Sequence, residues 1–173
     1  MSGDRAQTVL DFVVGMSVFL VAVGFTFAFV PSLLEPYAVG EGATVIVAER
    51  GAARLAESSL AATGSTATLS HACTLAFFDG TDAAAVESDC AWTANASDLH
   101  DELGVDDFRG LNLTVTQRGT VGKLDPDGAA VEMRAGPAPP RTESVSAASR
   151  LVTIVDPEDP RGPETYRLTL RVW

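Results

Sequence analysis

Arg5-Ala6-Gln7-Thr8-Val9-Leu10-Asp11, followed at once by the apolar run Phe12-Val13-Val14-Gly15-Met16-Ser17-Val18-Phe19-Leu20-Val21-Ala22-Val23-Gly24-Phe25-Thr26-Phe27-Ala28-Phe29-Val30, decides how this chain is built. Between Phe12 and Val30 there is no Asp, Glu, Lys, Arg, His, Asn or Gln. Wound as a helix, these about 19 residues reach roughly 28 Å, close to the bilayer's hydrocarbon thickness of about 30 Å. A helix on a soluble domain carries a polar stripe. Here only Ser17 and Thr26 interrupt the apolar surface, and both hydroxyls can bond back to the helix's own carbonyls. Gly15 and Gly24 would each cost about 1 kcal/mol in a water-exposed helix but are well tolerated in lipid. Pro31 is expected to end or kink the helix, with Pro36 close behind. The reading is a membrane-spanning helix built on residues 12–30, with one carboxylate, Asp11, at its mouth.

Arg5 and the chain's amine precede the helix, offset in part by Asp4, whereas the first charges after it are Glu35 and Glu41. The positive-inside rule then places the N-terminus in the cytoplasm and residues 35–173 outside. A removable secretory signal has a shorter apolar region and a small-x-small cleavage site, and Phe27-Ala28-Phe29-Val30-Pro31 fits that poorly.

The exported part is long enough for one domain with its own core. A formal charge of −11, from 23 acidic and 12 basic residues, argues against a phosphate-backbone partner, so no nucleic acid is expected. Lys123 is the only lysine. This acidic, alanine-rich, lysine-poor composition resembles that of salt-loving archaea, where dense surface carboxylates keep proteins soluble.

Gly42 to about Ala62 reads as a second helix, with Val45, Ala48, Ala52, Leu55 and Ala56 on its apolar face. From residue 108 the period shortens to two. Leu111, Leu113 and Val115 alternate with polar residues, as do Val131 and Met133; residues 150–155 form a third β-rich run; Tyr166, Leu168, Leu170 and Val172 complete a fourth. Turns at Asp125-Pro126-Asp127-Gly128 and Asp156-Pro157-Glu158-Asp159-Pro160 separate them. The expected fold class is α+β: a long N-terminal helix, a second helix, and a mainly antiparallel sheet with one wet face.

Cys73 and Cys90 are the only cysteines, and outside the cell they suggest one structural disulfide; two unrelated thiols are the alternative. No Cys-x-x-Cys or paired-His spacing points to a metal, and no cofactor is implied. His71 and His100 read as surface or loop residues. Asp98, Asp101, Glu102, Asp106 and Asp107 lack the spacing of a calcium loop and read as a solvated acidic surface. Asn95-Ala96-Ser97 and Asn112-Leu113-Thr114 are sequons, so Asn95 and Asn112 are candidate glycan acceptors, Asn112 on the polar face of its strand. No phosphate loop, G-x-S-x-G or partnered nucleophile is present, and no enzyme activity is expected.

The segment from Arg5 to Phe12 resembles the class III signal peptides of archaeal type IV pilin-like proteins. The resemblance implies cleavage by a prepilin peptidase between Ala6 and Gln7, leaving residues 1–6 as a leader, residues 7–34 as the transmembrane and assembly helix, and residues 35–173 as an extracellular β-rich head domain. Asp11 takes the acidic fifth mature position; Ala6 and Asp11 stand where the family more often has glycine and glutamate. The implied function is that of a pilin-like subunit of a surface filament, with the membrane, an assembly ATPase and its membrane platform, and other pilin subunits as partners. Asp11 would neutralise a neighbouring subunit's new amine, since an unpaired charge in an apolar bundle is costly. Read without the resemblance, Asp11 simply favours the helix N-terminus through the dipole, and the chain is a permanently anchored single-pass surface protein whose head binds a ligand or partner.

Overall fold

The computed structural model describes residues 3–34, 41–86, 90–125, 129–156 and 162–173, with side chains described from 10 to 29 and from 43 onward within these ranges. The expected turns at 126–128 and 157–160, and Glu35 and Pro36 after the first helix, lie outside the described residues. The chain divides into two units, Met1–Gly42 and Ala43–Trp173.

The first unit contains helix α1, Gly3–Leu34. It begins before the expected cleavage position and continues through Pro31, so the proline does not end it. Its Leu10–Phe29 segment is 20 residues of mean hydropathy 2.3, none of it buried. Ser17 Oγ donates to Val13 O at 2.7 Å and Thr26 Oγ1 to Ala22 O at 2.8 Å, so both hydroxyls are satisfied within the helix.

Helix α2 (Glu41–Arg54), in the second unit from Ala43 on, runs into a wider turn at Leu55–Ser59, where Leu60 N reaches back five residues to Leu55 O. Its buried row is Ala48, Ala52, Leu55 and Ala56; Val45, expected on that face, is 51% exposed. Small residues let the helix lie close to the sheet. A Cβ at Gly51 would collide with a Leu170 methyl and press on Leu103. After β1 (Thr68–Ser70), α3 (His71–Asp79) starts where Ser70 Oγ accepts from Cys73 N and stops at Gly80, whose φ of 83° is the left-handed C-cap conformation. The Phe77-Phe78-Asp79-Gly80 stretch is the end of this helix. Short turns at Ala83–Ala85 and Ala96–Asp98 lead to α4, Leu99–Leu103.

The remaining strands are β2 (Leu111–Gln117), β3 (Thr120–Val121), β4 (Lys123–Leu124), β5 (Val131–Glu132), β6 (Arg134–Ala135), β7 (Ser146–Val155) and β8 (Glu164–Val172). The main sheet runs β1-β7-β8-β2-β3, with β6 also pairing β2, while β4 and β5 form a small separate ladder. All its pairings are antiparallel except β1 with β7, which was not legible in the sequence. The fold is thus α+β with a mainly antiparallel sheet.

Registers Leu111↔Val172, Leu113↔Leu170, Val115↔Leu168 and Ala148↔Leu170 line one face of the three central strands with apolar side chains. Helix α2 packs on this face, tied by Thr44 Oγ1 to Ser146 Oγ at 2.7 Å and by Arg150 Nη2 to Glu49 Oε2 at 2.8 Å. Val131 and Met133 do not form one strand. Met133 is the break between β5 and β6: its O accepts from Val115 N and its N donates to Gly122 O, both at 2.9 Å, with the side chain fully buried.

Candidate functional site

Two places concentrate chemistry: the N-terminal helix and a buried carboxylate in the second unit. On α1, Leu10, Phe12, Val18, Val21, Phe25 and Phe27 point in different directions around the axis, and each is at least 64% exposed. Exposed apolar surface of this extent marks a segment that meets lipid or another apolar partner. Asp11 is exposed at the start of this surface. Because α1 begins at Gly3, Asp11 lies more than two turns inside the helix, roughly 12 Å along the axis from its first residue. A dipole interaction fades within the first turn, so in the untrimmed helix, which starts at Gly3, helix-end stabilisation does not account for Asp11. Ala6 and Gln7 lie on the α1 backbone, with side chains outside those described. Gln7 and Asp11 are four positions apart, about one turn.

The second place overturns an expectation. Glu102, read as part of a solvated acidic surface, is fully buried. One oxygen, Oε1, accepts from Ser59 Oγ at 2.5 Å and Arg54 Nε at 3.4 Å. The other, Oε2, accepts from Thr93 N at 2.8 Å, Thr93 Oγ1 at 3.1 Å and Ala94 N at 3.2 Å. Burial pushes its pKa up, but the bonds from Ser59, the Thr93 and Ala94 amides and the Thr93 hydroxyl outweigh this and hold it below the usual carboxylate range. The carboxylate joins the wide turn after α2, the loop at 93–94 and α4. Its five donors tie these three segments together, and the carboxylate is a structural tie. The wide turn matters here, since it contributes the Ser59 hydroxyl.

Cys73 and Cys90 are joined in a disulfide with Cα atoms 5.5 Å apart. The bridge pins α3 to the loop before Trp92, whose ring meets Phe77 edge-on at 5.8 Å. The histidines are not idle loop residues: His71 Nε2 lies 3.7 Å from Asp156 Oδ2, and His100 Nε2 is 2.8 Å from Arg109 O. Asn112 does not stand free on a wet face. It is 7% exposed, accepts from Arg171 Nη1 at 3.1 Å and donates to Ala135 O at 3.5 Å. Asn95 Nδ2 donates to Gly80 O at 2.8 Å while its Oδ1 caps Ser97 N. A glycan would take one of the two hydrogens on either nitrogen and leave the other to keep that bond. Among the described residues no group of His, Cys, Asp and Glu is arranged to hold a metal ion.

Fold and helix together define a protein with an N-terminal apolar helix, of the length and composition of a membrane anchor or signal sequence, and a disulfide-bonded α+β domain. The chain belongs to a family of unknown function, DUF7287, whose model matches residues 3–173. No curated protein and no solved structure matches it.

Proposed function

We propose that this chain is a pilin-like subunit of a type IV pilus-like surface filament or a related assembly. It is made as a precursor, cut by a prepilin peptidase between Ala6 and Gln7, and anchored by residues 7–34 with the second unit outside the cell. An assembly ATPase and its membrane platform then bring its helix against those of other subunits. The observation that carries this reading is Asp11, an exposed carboxylate where the apolar surface of α1 begins and the fifth residue of the trimmed chain. Lipid alone gives such a group no partner, whereas a bundle of trimmed helices supplies the amine of a neighbouring Gln7. The acidic surface and the disulfide suit an extracellular location, in keeping with a haloarchaeal source.

The test is Asp11→Ala. Trimming and membrane insertion should survive, because neither needs the carboxylate. Recovery of the protein in filaments sheared from cells should fall about tenfold or more, since an unpaired buried amine costs several kcal/mol. Wild-type recovery of the variant in the sheared fraction would remove the pairing role. If the wild-type chain itself never leaves the membrane on shearing, it is a permanently anchored surface protein.

A further inference from the structure

The three central strands carry a second face, directed away from α2. It consists of Asn112, Thr114 and Thr116 on β2, Ala147, Ser149, Leu151, Thr153 and Val155 on β7, and Thr165, Arg167, Thr169 and Arg171 on β8. In a chain of net charge −11, this face of the three strands holds two arginines and no carboxylate. Arg171 is engaged with Asn112 and Thr114, both neutral. Arg167 sits in one cross-strand row between Thr116 and Leu151, and its guanidinium has no carboxylate partner among the described residues. Elsewhere among the described residues Arg54, Lys123, Arg134 and Arg150 are each paired with a glutamate, while Arg50, Arg109 and Arg141 have no carboxylate partner; what sets Arg167 apart is its place on a face without acids.

The hairpin between β2 and β3 brings a further cation to the same end. Gln117 pairs with Thr120, leaving a two-residue turn of Arg118 and Gly119 with φ of 51° and 87°. Such turns favour Asn-Gly, because a side chain at positive φ costs about 1 kcal/mol or more. Nothing in the turn itself calls for arginine. Arg118 also lacks a carboxylate partner, and with Thr116, Gly119, Leu151, Thr165 and Arg167 it lines one open concavity of about 300 Å³.

We propose that this concavity binds an acidic saccharide, with the carboxylate or sulfate held between Arg118 and Arg167. Guanidinium forks match the geometry of such oxyanions. The hydroxyls of Thr116 and Thr165 supply acceptors and donors for sugar hydroxyls. Leu151, 63% exposed, offers an apolar platform to a sugar's C–H face. A bare inorganic anion would use the arginines and leave the other groups idle. The assignment concerns the second unit alone and does not rest on the assembly reading.

The test is titration calorimetry of the full chain in detergent, at one fixed salt concentration, with three tetrasaccharides: galacturonate, sulfated galactose and neutral galactose. At least one acidic tetrasaccharide should bind more tightly than the neutral one, and the tighter of the two names the group recognised. In Arg118→Gly/Arg167→Gln the affinity should fall about tenfold or more. Arg118→Gly relieves the strained turn, so an unchanged or higher melting temperature separates lost binding from lost folding. Arg50→Gln/Arg141→Gln, the same charge change outside the concavity, should bind as wild type. The proposal is overturned if the neutral sugar binds equally, if the Arg118/Arg167 variant keeps wild-type affinity, or if inorganic sulfate binds as tightly as the acidic saccharides.

Discussion

Replacing Glu102 by Gln tests what a fully buried carboxylate contributes to this domain. An amide can keep its oxygen toward the Thr93 and Ala94 donors, retaining those three bonds without the charge. Its NH2 then faces Ser59 Oγ, which can rotate to accept, and Arg54 Nε, which cannot. One contact is lost and four lose their ionic character, which amounts to about 2 kcal/mol. Glu102→Leu strands the Thr93 and Ala94 amides as well and should cost about 4 kcal/mol. For a domain of about 130 residues, 2 kcal/mol lowers Tm by roughly 7 °C. Circular-dichroism melts at neutral pH should therefore rank wild type above Gln above Leu.

The pH dependence has a definite sign. The folded pKa is lowered, so the stabilisation is complete above the unfolded carboxylate value of about 4.3 and disappears as pH falls through the folded value. The gap between wild type and Glu102→Gln should narrow in acid. Equal melting temperatures at neutral pH, or a gap that widens in acid, would refute the tie.

Two further perturbations act on the same domain. Cys73→Ser/Cys90→Ser should cost about 3 kcal/mol by releasing a 17-residue constraint on the unfolded chain, read as a lower urea midpoint in the absence of reductant. Gly51→Leu should destabilise by about 1–3 kcal/mol despite its better helix propensity, because the space at Gly51 is filled by Leu170 and Leu103; an unchanged Tm would show that α2 does not lie against β8.

The sequence announced the elements whose residues repeat with a clear period. The alternation in 111–116 and 166–172 gave β2 and β8 with their buried faces, and the uncharged run gave α1. Features set by partners distant in sequence were hidden. Glu102 looks like one more acid among Asp98, Asp101, Asp106 and Asp107, and only the fold brings Ser59 and Thr93 to it. Thr68–Ser70 is too short to show a period, and it becomes a strand because β7 offers an open edge beside it. Asn112 alternates as a wet-face residue should, yet Arg171 and Ala135 close over it. Arg118-Gly119 did carry a local signal, a two-residue turn flanked by residues of β propensity. Its partner Arg167 lies 49 positions on, and only the register of β2 with β8 unites them.

The most direct test of the functional account is the N-terminus of the mature protein. The full-length chain, expressed with its own first residues and extracted from membranes, would be measured by intact mass and N-terminal sequencing. The account predicts a start at Gln7, with Ala6 the last residue removed and Asp11 at the fifth position. A chain still beginning at Met1 or Ser2, or one cut on the far side of the apolar helix, would contradict it.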